Sequence, residues 1–210
     1  MSKESDDQLS IRVEQLKTEI RLLNDPKGIA FRCGMDFIKA KGFPGFQFSL
    51  FDSTISVNYP ELDISNPKNG AVLKISSQAL IFYYMIKADA SPLTGKWVSF
   101  ADLPNGRFYA QAFQGYTGDE LASILGNDDE NFSYASLKLN GKALPIGDAA
   151  FEFVALPRVP IAVVYWKGDE EFHSNCKVLF DASIGHYLPT DACAILGSIL
   201  VQKLKFLVKI

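Results

Sequence analysis

Apolar side chains recur at helical spacing near the start of the chain, where Leu9, Val13, Leu16, Ile20 and Leu23 alternate four and three residues apart. That spacing lines one face of a helix. It predicts a helix over residues 5–24, with Ser5 and Gln8 as a capping box and Pro26 marking its end. A second short helix is expected over residues 27–35. The first helix is expected to pack onto the rest of the chain, which divides it into an N-terminal amphipathic helix, 1–25, and a single α+β domain, 26–210.

The period then changes from helical to alternating. Phe46, Phe48 and Leu50, then Ile55, Val57 and Tyr59, alternate with polar neighbours and predict a β-hairpin turning at Asp52 and Ser53. Beyond the polar loop 63–70, the run 72–87 contains Leu73, Leu80, Tyr83, Tyr84 and Met85 with few charges, as a largely buried helix would. Pro92, Gly95 and Pro104 bracket a brief strand over 97–100. Thr117 and Glu120 are expected to cap a helix that Gly126 stops, and another helix is expected over 129–139.

The last third has a different texture. Three β-rich runs, 150–156, 161–166 and 177–181, are separated by turn residues, and such short connections favour antiparallel pairing. Asp169, Glu170 and Glu171 fall at the tip of the second connection. Thr190 and Asp191 open a terminal helix with Ile195, Leu196, Ile199, Leu200 and Leu204 on its apolar side. Antiparallel hairpins and a C-terminal three-stranded meander, flanked by helices, make the fold class α+β.

Composition narrows the function classes. The 210 residues are 48% apolar, enough for one substantial core. With 21 basic against 24 acidic residues and no basic block, nucleic acid is not an expected partner. Residues 1–8 are polar and acidic and the apolar run 192–200 is short and interrupted, so neither a secretory signal nor a membrane span is expected. Cys33, Cys176 and Cys193 are odd in number and widely spaced, which fits buried thiols in a reducing, cytoplasmic setting.

No phosphate-binding loop, nucleophile elbow or zinc spacing is present. Three constellations remain as candidates. His186, in Gly185-His186-Tyr187 before the terminal helix, can ligate a metal or a tetrapyrrole, with Tyr187 or Arg158 meeting a propionate or amide edge. The alternative for His186 is a structural hydrogen bond. Asp169, Glu170, Glu171 and Asp181 can hold a hard divalent cation if three oxygens converge, against the plainer reading of a solvated tip. Arg158, between Pro157 and Pro160, can clamp an anion or pair with Asp148, Glu152 or Asp181.

The stretches Ala155-Leu156-Pro157-Arg158, Trp166-Lys167-Gly168-Asp169-Glu170-Glu171-Phe172 and Leu179-Phe180-Asp181 resemble an uncharacterised family, the domain of unknown function numbered 3786. Residues 92–100 and 147–150 also resemble it, so the likeness runs over roughly 30–204. The resemblance implies the company of anaerobic bacteria and archaea, and some relatives carry an amino-terminal cysteine cluster suited to an iron-sulfur centre. Only Cys33 stands in that half here, so the cluster does not carry over, and His173 stands where the family pattern has proline. The expected function is a small-ligand or cofactor-binding accessory protein of anaerobic metabolism, with a corrinoid or haem-like tetrapyrrole as its sharpest form. The alternatives are a divalent-metal hydrolase using Asp169 and Asp181, and a scaffold docking on an iron-sulfur or corrinoid enzyme through the first helix.

Overall fold

The computed structural model describes residues 3–40 and 43–208. Helix α1 (Lys3–Leu23) leads into α2 (Pro26–Cys33), where the Asp25 carboxylate accepts the Gly28 N–H and Gly34 closes the helix in the left-handed region. Val13, Leu16 and Ile20 are buried, as the spacing predicts, whereas Leu23 is exposed. The capping role expected of Ser5 lies outside the side chains described.

Strands β1 (Asp36–Ala40), β2 (Phe43–Leu50), β3 (Ser53–Asn58) and β4 (Ile64–Ser65) form an antiparallel sheet in that order. The expected hairpin is β2–β3, with Phe46 opposite Val57 and Phe48 opposite Ile55. Its turn falls at Phe51 and Asp52, one residue earlier than expected, because Phe51 adopts positive φ and stays buried. Helix α3 (Ile75–Lys87) buries Leu80, Phe82, Tyr84 and Met85 and carries α1 against it. It starts three residues later than the apolar run, since exposed Val72 instead bridges Ser65.

The second sheet has the order β5-β9-β8-β7-β6, from β5 (Trp97–Ser99), β6 (Lys142–Ala143), β7 (Ala149–Leu156), β8 (Val159–Trp166) and β9 (Asn175–Asp181). The meander β7–β8–β9 is antiparallel throughout. β8 is buried along nearly its whole length because it is the central strand, which explains its unbroken apolar sequence. Pro157 and Arg158 form a tight turn rather than a longer stiff link, and Val159 and Pro160 already belong to β8.

Residues 100–125 depart most from expectation. A 3-10 turn (Phe100–Asp102), α4 (Gly106–Gln114), a π-helical turn (Gly115–Asp119) and α5 (Glu120–Leu125) succeed one another. Thr117 does not cap a helix: it is buried inside the π turn, and its hydroxyl donates to the Phe113 carbonyl one turn back. The π turn seats Gly118 against β9, where an added Cβ would lie 2.1 Å from the Cys176 carbonyl oxygen.

Helix α6 (Asp129–Lys138) is capped by Asp128, and α7 (Thr190–Leu207) closes the fold. α7 packs against α3, α5, α6 and the π turn, and one hydrophobic core runs through both sheets and the helices. The Phe51 N–H joins the sheets by donating to the Ala155 carbonyl. Cys33, Cys176 and Cys193 are buried free thiols. Burial pushes the thiols of Cys33 and Cys176 up to about 12 and raises that of Cys193 as well. Among the described residues no helix is long and apolar enough to cross a membrane.

Candidate functional site

Three chain segments far apart in sequence meet beside the start of α7. The first is the arm that leaves α3, turned sharply by Ala90 at positive φ. The second is the β7–β8 turn bearing Arg158, and the third is the 3-10 turn Ile184–His186 between β9 and α7. The meeting brings together His186, Tyr187 and Arg158, the three residues singled out for cofactor binding.

His186 stands on the exposed side of this junction. Its Nδ1 lies 2.7 Å from Asp89 Oδ2 and 3.0 Å from Ser91 Oγ. The hydrogen bond to His186 is the main cause holding the Asp89 carboxyl down at about 2. Both partners converge on the same ring nitrogen, so serine, histidine and aspartate here do not make a nucleophilic triad, which needs the serine on Nε2. The geometry instead fixes one tautomer, with Nδ1 carrying the proton toward Asp89 and Nε2 left without a partner among the described residues. A carboxylate-held histidine with its second nitrogen free is the usual arrangement behind a metal-bound imidazole.

Tyr187 and Arg158 lie beneath. Tyr187 is fully buried and its hydroxyl donates to the Ser91 carbonyl, tying the arm down from inside. The Arg158 backbone N–H donates to the Tyr84 hydroxyl at 3.2 Å, and that hydroxyl donates to the Cys33 carbonyl at 2.5 Å. The Arg158 guanidinium lies beside the Tyr187 hydroxyl, and its Nε is buried with no hydrogen-bond partner among the described residues. Arg158 forms no ion pair with Asp148, Glu152 or Asp181, the partners considered from sequence. A chain of polar contacts therefore runs from Cys33 in the interior through Tyr84, Arg158, Tyr187 and Ser91 to the exposed His186.

A cavity of about 340 Å³ is lined by Lys87, Tyr109, Gly185, Leu188 and the first residues of α7, Thr190 and Asp191, and His186, Tyr187, Arg158, Asp89 and Ser91 are not in its lining. His186 follows lining Gly185 directly, and Asp89 lies two residues beyond lining Lys87. The volume falls at the lower end of the range for small-molecule sites, about 300–1,000 Å³. Sequence reasoning missed the Asp89 and Ser91 partners of His186. No local signal marks them, because they lie almost a hundred residues away.

The acidic residues are distributed differently. Asp181, at the end of β9, is buried, and its carboxylate accepts the N–H groups of Thr94, Gly95 and Ser183 and the Thr94 hydroxyl. Burial pushes this carboxyl up, but the hydrogen bonds from Ser183 and Thr94 outweigh it and hold it below the usual range. Asp169 lies before β9, where Oδ1 accepts the N–H groups of Glu171 and Phe172 and lowers the carboxyl. Asp169 lies six residues ahead of the start of β9 and Asp181 is its last residue, so the whole seven-residue strand, on the order of 20 Å long, separates them in the chain. Among the described residues no three His, Cys, Asp or Glu side chains are grouped to hold a metal ion.

The family profile described as Domain of unknown function (DUF3786) matches residues 25–203. The chain belongs to that family. The matched span opens at the cap of α2 and runs into α7, so it contains every member of the polar chain from Cys33 to His186. Helix α1 precedes the matched DUF3786 region, yet its apolar face is part of the same core. No curated protein and no solved structure matches the chain.

Proposed function

We propose that this DUF3786 domain binds a small ligand or organic cofactor at the junction of Asp89–Ser91, the Arg158 turn and Ile184–Asp191. The observation that carries this reading is the Asp89–His186 pair at 2.7 Å, with an exposed imidazole beside the cavity of about 340 Å³. In its sharpest form the ligand is a corrinoid or haem-like tetrapyrrole whose metal is taken by His186 Nε2. The donor set fits that role, since the carboxylate on Nδ1 orients the ring and leaves the other nitrogen facing outward. The cavity would accommodate a substituent rather than a whole macrocycle. Tyr187 then acts as a positioning residue through Ser91, and Arg158 supplies positive charge beneath the site. An accessory role in anaerobic metabolism follows the family resemblance.

The test is titration of cobalamin and of haem into the full chain and into His186→Ala, followed by visible absorption and calorimetry. The expected result is a band shift with the wild type that the variant abolishes. Absence of both a spectral change and heat disposes of the tetrapyrrole form. Screening small molecules by thermal shift tests the wider reading. A ligand whose stabilisation is the same in wild type, His186→Ala and Lys87→Glu would place binding elsewhere.

A further inference from the structure

A second cleft, on another part of the molecule, is independent of the His186 site. It holds about 620 Å³ between the π turn with α5 on one side and the β8–β9 connection on the other. Its walls are preformed. The Asn127 side chain accepts the Gly168 N–H at 2.8 Å and donates to the Gly168 carbonyl at 3.2 Å, clamping the connection to the end of α5. On the opposite wall Gln114 donates both to Asp119 Oδ1 at 2.6 Å and to the Cys176 carbonyl at 2.9 Å, fixing the π turn on β9. A π turn is a frequent companion of binding sites.

The groups facing the cleft have a definite chemical bias. Asp119 and Asp169 each use one oxygen internally, and Oδ2 of each has no partner among the described residues. Phe172 is 69% exposed at the same cleft, a large apolar ring that nothing in the fold covers. Ser123, Asn127, His173, Ser174 and Asn175 complete the polar lining, and among the described residues neither lysine nor arginine contributes to it. Two carboxylates and an open aromatic face, with no fixed cation between them, complement a cation that also has an apolar stem. A hard divalent ion would gain nothing from the ring.

We propose that this cleft binds an organic cation of the alkylammonium class, its charge held by Asp119 and Asp169 and its methylene stem laid on Phe172. The substitutions that test it leave the walls intact. Asp119→Asn keeps an oxygen for Gln114 and Asp169→Asn keeps the acceptor of its turn, so each removes charge alone.

Calorimetric titration of putrescine into the full chain, at low salt and mildly alkaline pH, is the measurement. The wild type is expected to give a saturable isotherm that butanediol, the uncharged analogue, does not. Each aspartate variant is expected to weaken binding about fivefold, the upper range for an exposed ion pair, and Phe172→Ala about threefold. The double variant Glu170→Gln, Glu171→Gln, at the neighbouring tip but outside the lining, is expected to bind as the wild type does. No saturable heat, equal binding of butanediol, or an equal loss in the tip variant would overturn the proposal. Tighter binding of magnesium, lost in the same aspartate variants, would overturn the organic part of it. Unchanged thermal midpoints in the Asn variants would show that the lost affinity is not lost folding.

Discussion

Replacing Asp181 by alanine removes one acceptor group and leaves four donors to be satisfied. Asp181 is 2% exposed, and its partners are the Thr94 N–H at 3.1 Å, the Thr94 hydroxyl at 3.0 Å, the Gly95 N–H at 2.7 Å and the Ser183 N–H at 2.8 Å. Thr94 and Gly95 are exposed and can turn to water, whereas Ser183 is buried and cannot. One orphaned buried donor plus the loss of charge-assisted bonds amounts to about 3 kcal/mol. For a chain of this size that lowers the thermal midpoint by about 6–12 °C. Asp181→Asn keeps an oxygen for Thr94 and Ser183 but sets its amide group against the Gly95 N–H and loses the charge, so it is expected to lose part of the same stability.

The pH dependence has a definite sign. The folded-state carboxyl is depressed, so its contribution is complete above the unfolded value of about 4 and is lost as pH falls through the lower folded value. Urea unfolding of wild type and Asp181→Asn at neutral and acid pH measures this. The gap between them should be widest at neutral pH and close on acidification. The consequence for the proposed site is direct, because Thr94 and Gly95 tether the arm that presents Asp89 and Ser91 to His186. A neutral-pH difference within about 0.5 kcal/mol, the scatter of ordinary surface changes, or a gap that widens toward acid, would refute the reasoning.

Other perturbations probe separate links in the structure. His186→Ala should let the Asp89 carboxyl rise from about 2 toward its ordinary value, which a carboxyl-carbon NMR titration reads directly, while the thermal midpoint changes little because the pair is exposed. Tyr84→Phe removes the hydroxyl between Cys33 and Arg158 and should cost about 1–3 kcal/mol, seen as a lower urea midpoint. Gly118→Ala drives a methyl to 2.1 Å from the Cys176 carbonyl oxygen. It should destabilise by about 1–3 kcal/mol or more, and an unchanged melting curve would contradict the close seating of the π turn on β9.

Reading the chain by period located most elements, and the reasons for the exceptions are physical. The meander was legible because β7, β8 and β9 are rich in Val, Ile, Leu and Phe, with turn residues between them. Helix α4 is absent from those expectations although Phe108, Tyr109, Ala112 and Phe113 stand at helical spacing, and of these the fold buries Phe113 while Phe108 and Tyr109 face outward. Thr117 carried a sound local signal for a cap, but packing against β9 absorbed it into a π turn. Strand β1, with Asp36 and Lys39 among its five residues, shows its pairing only beside β2.

At the site, the same division holds. The residue types His186, Tyr187 and Arg158 and their positions at turns were available from sequence, because turns and element ends are where polar side chains can leave the core. That Asp89 and Ser91 hold the imidazole, that Tyr187 is buried as a tether, and that the Asp181 carboxylate holds Thr94 and Gly95 were decided by the fold. Local patterning specifies which face of each element is buried, since that depends on neighbours one turn or two residues away. Which distant side chains meet depends on how the sheets and α7 pack, and no local pattern encodes that.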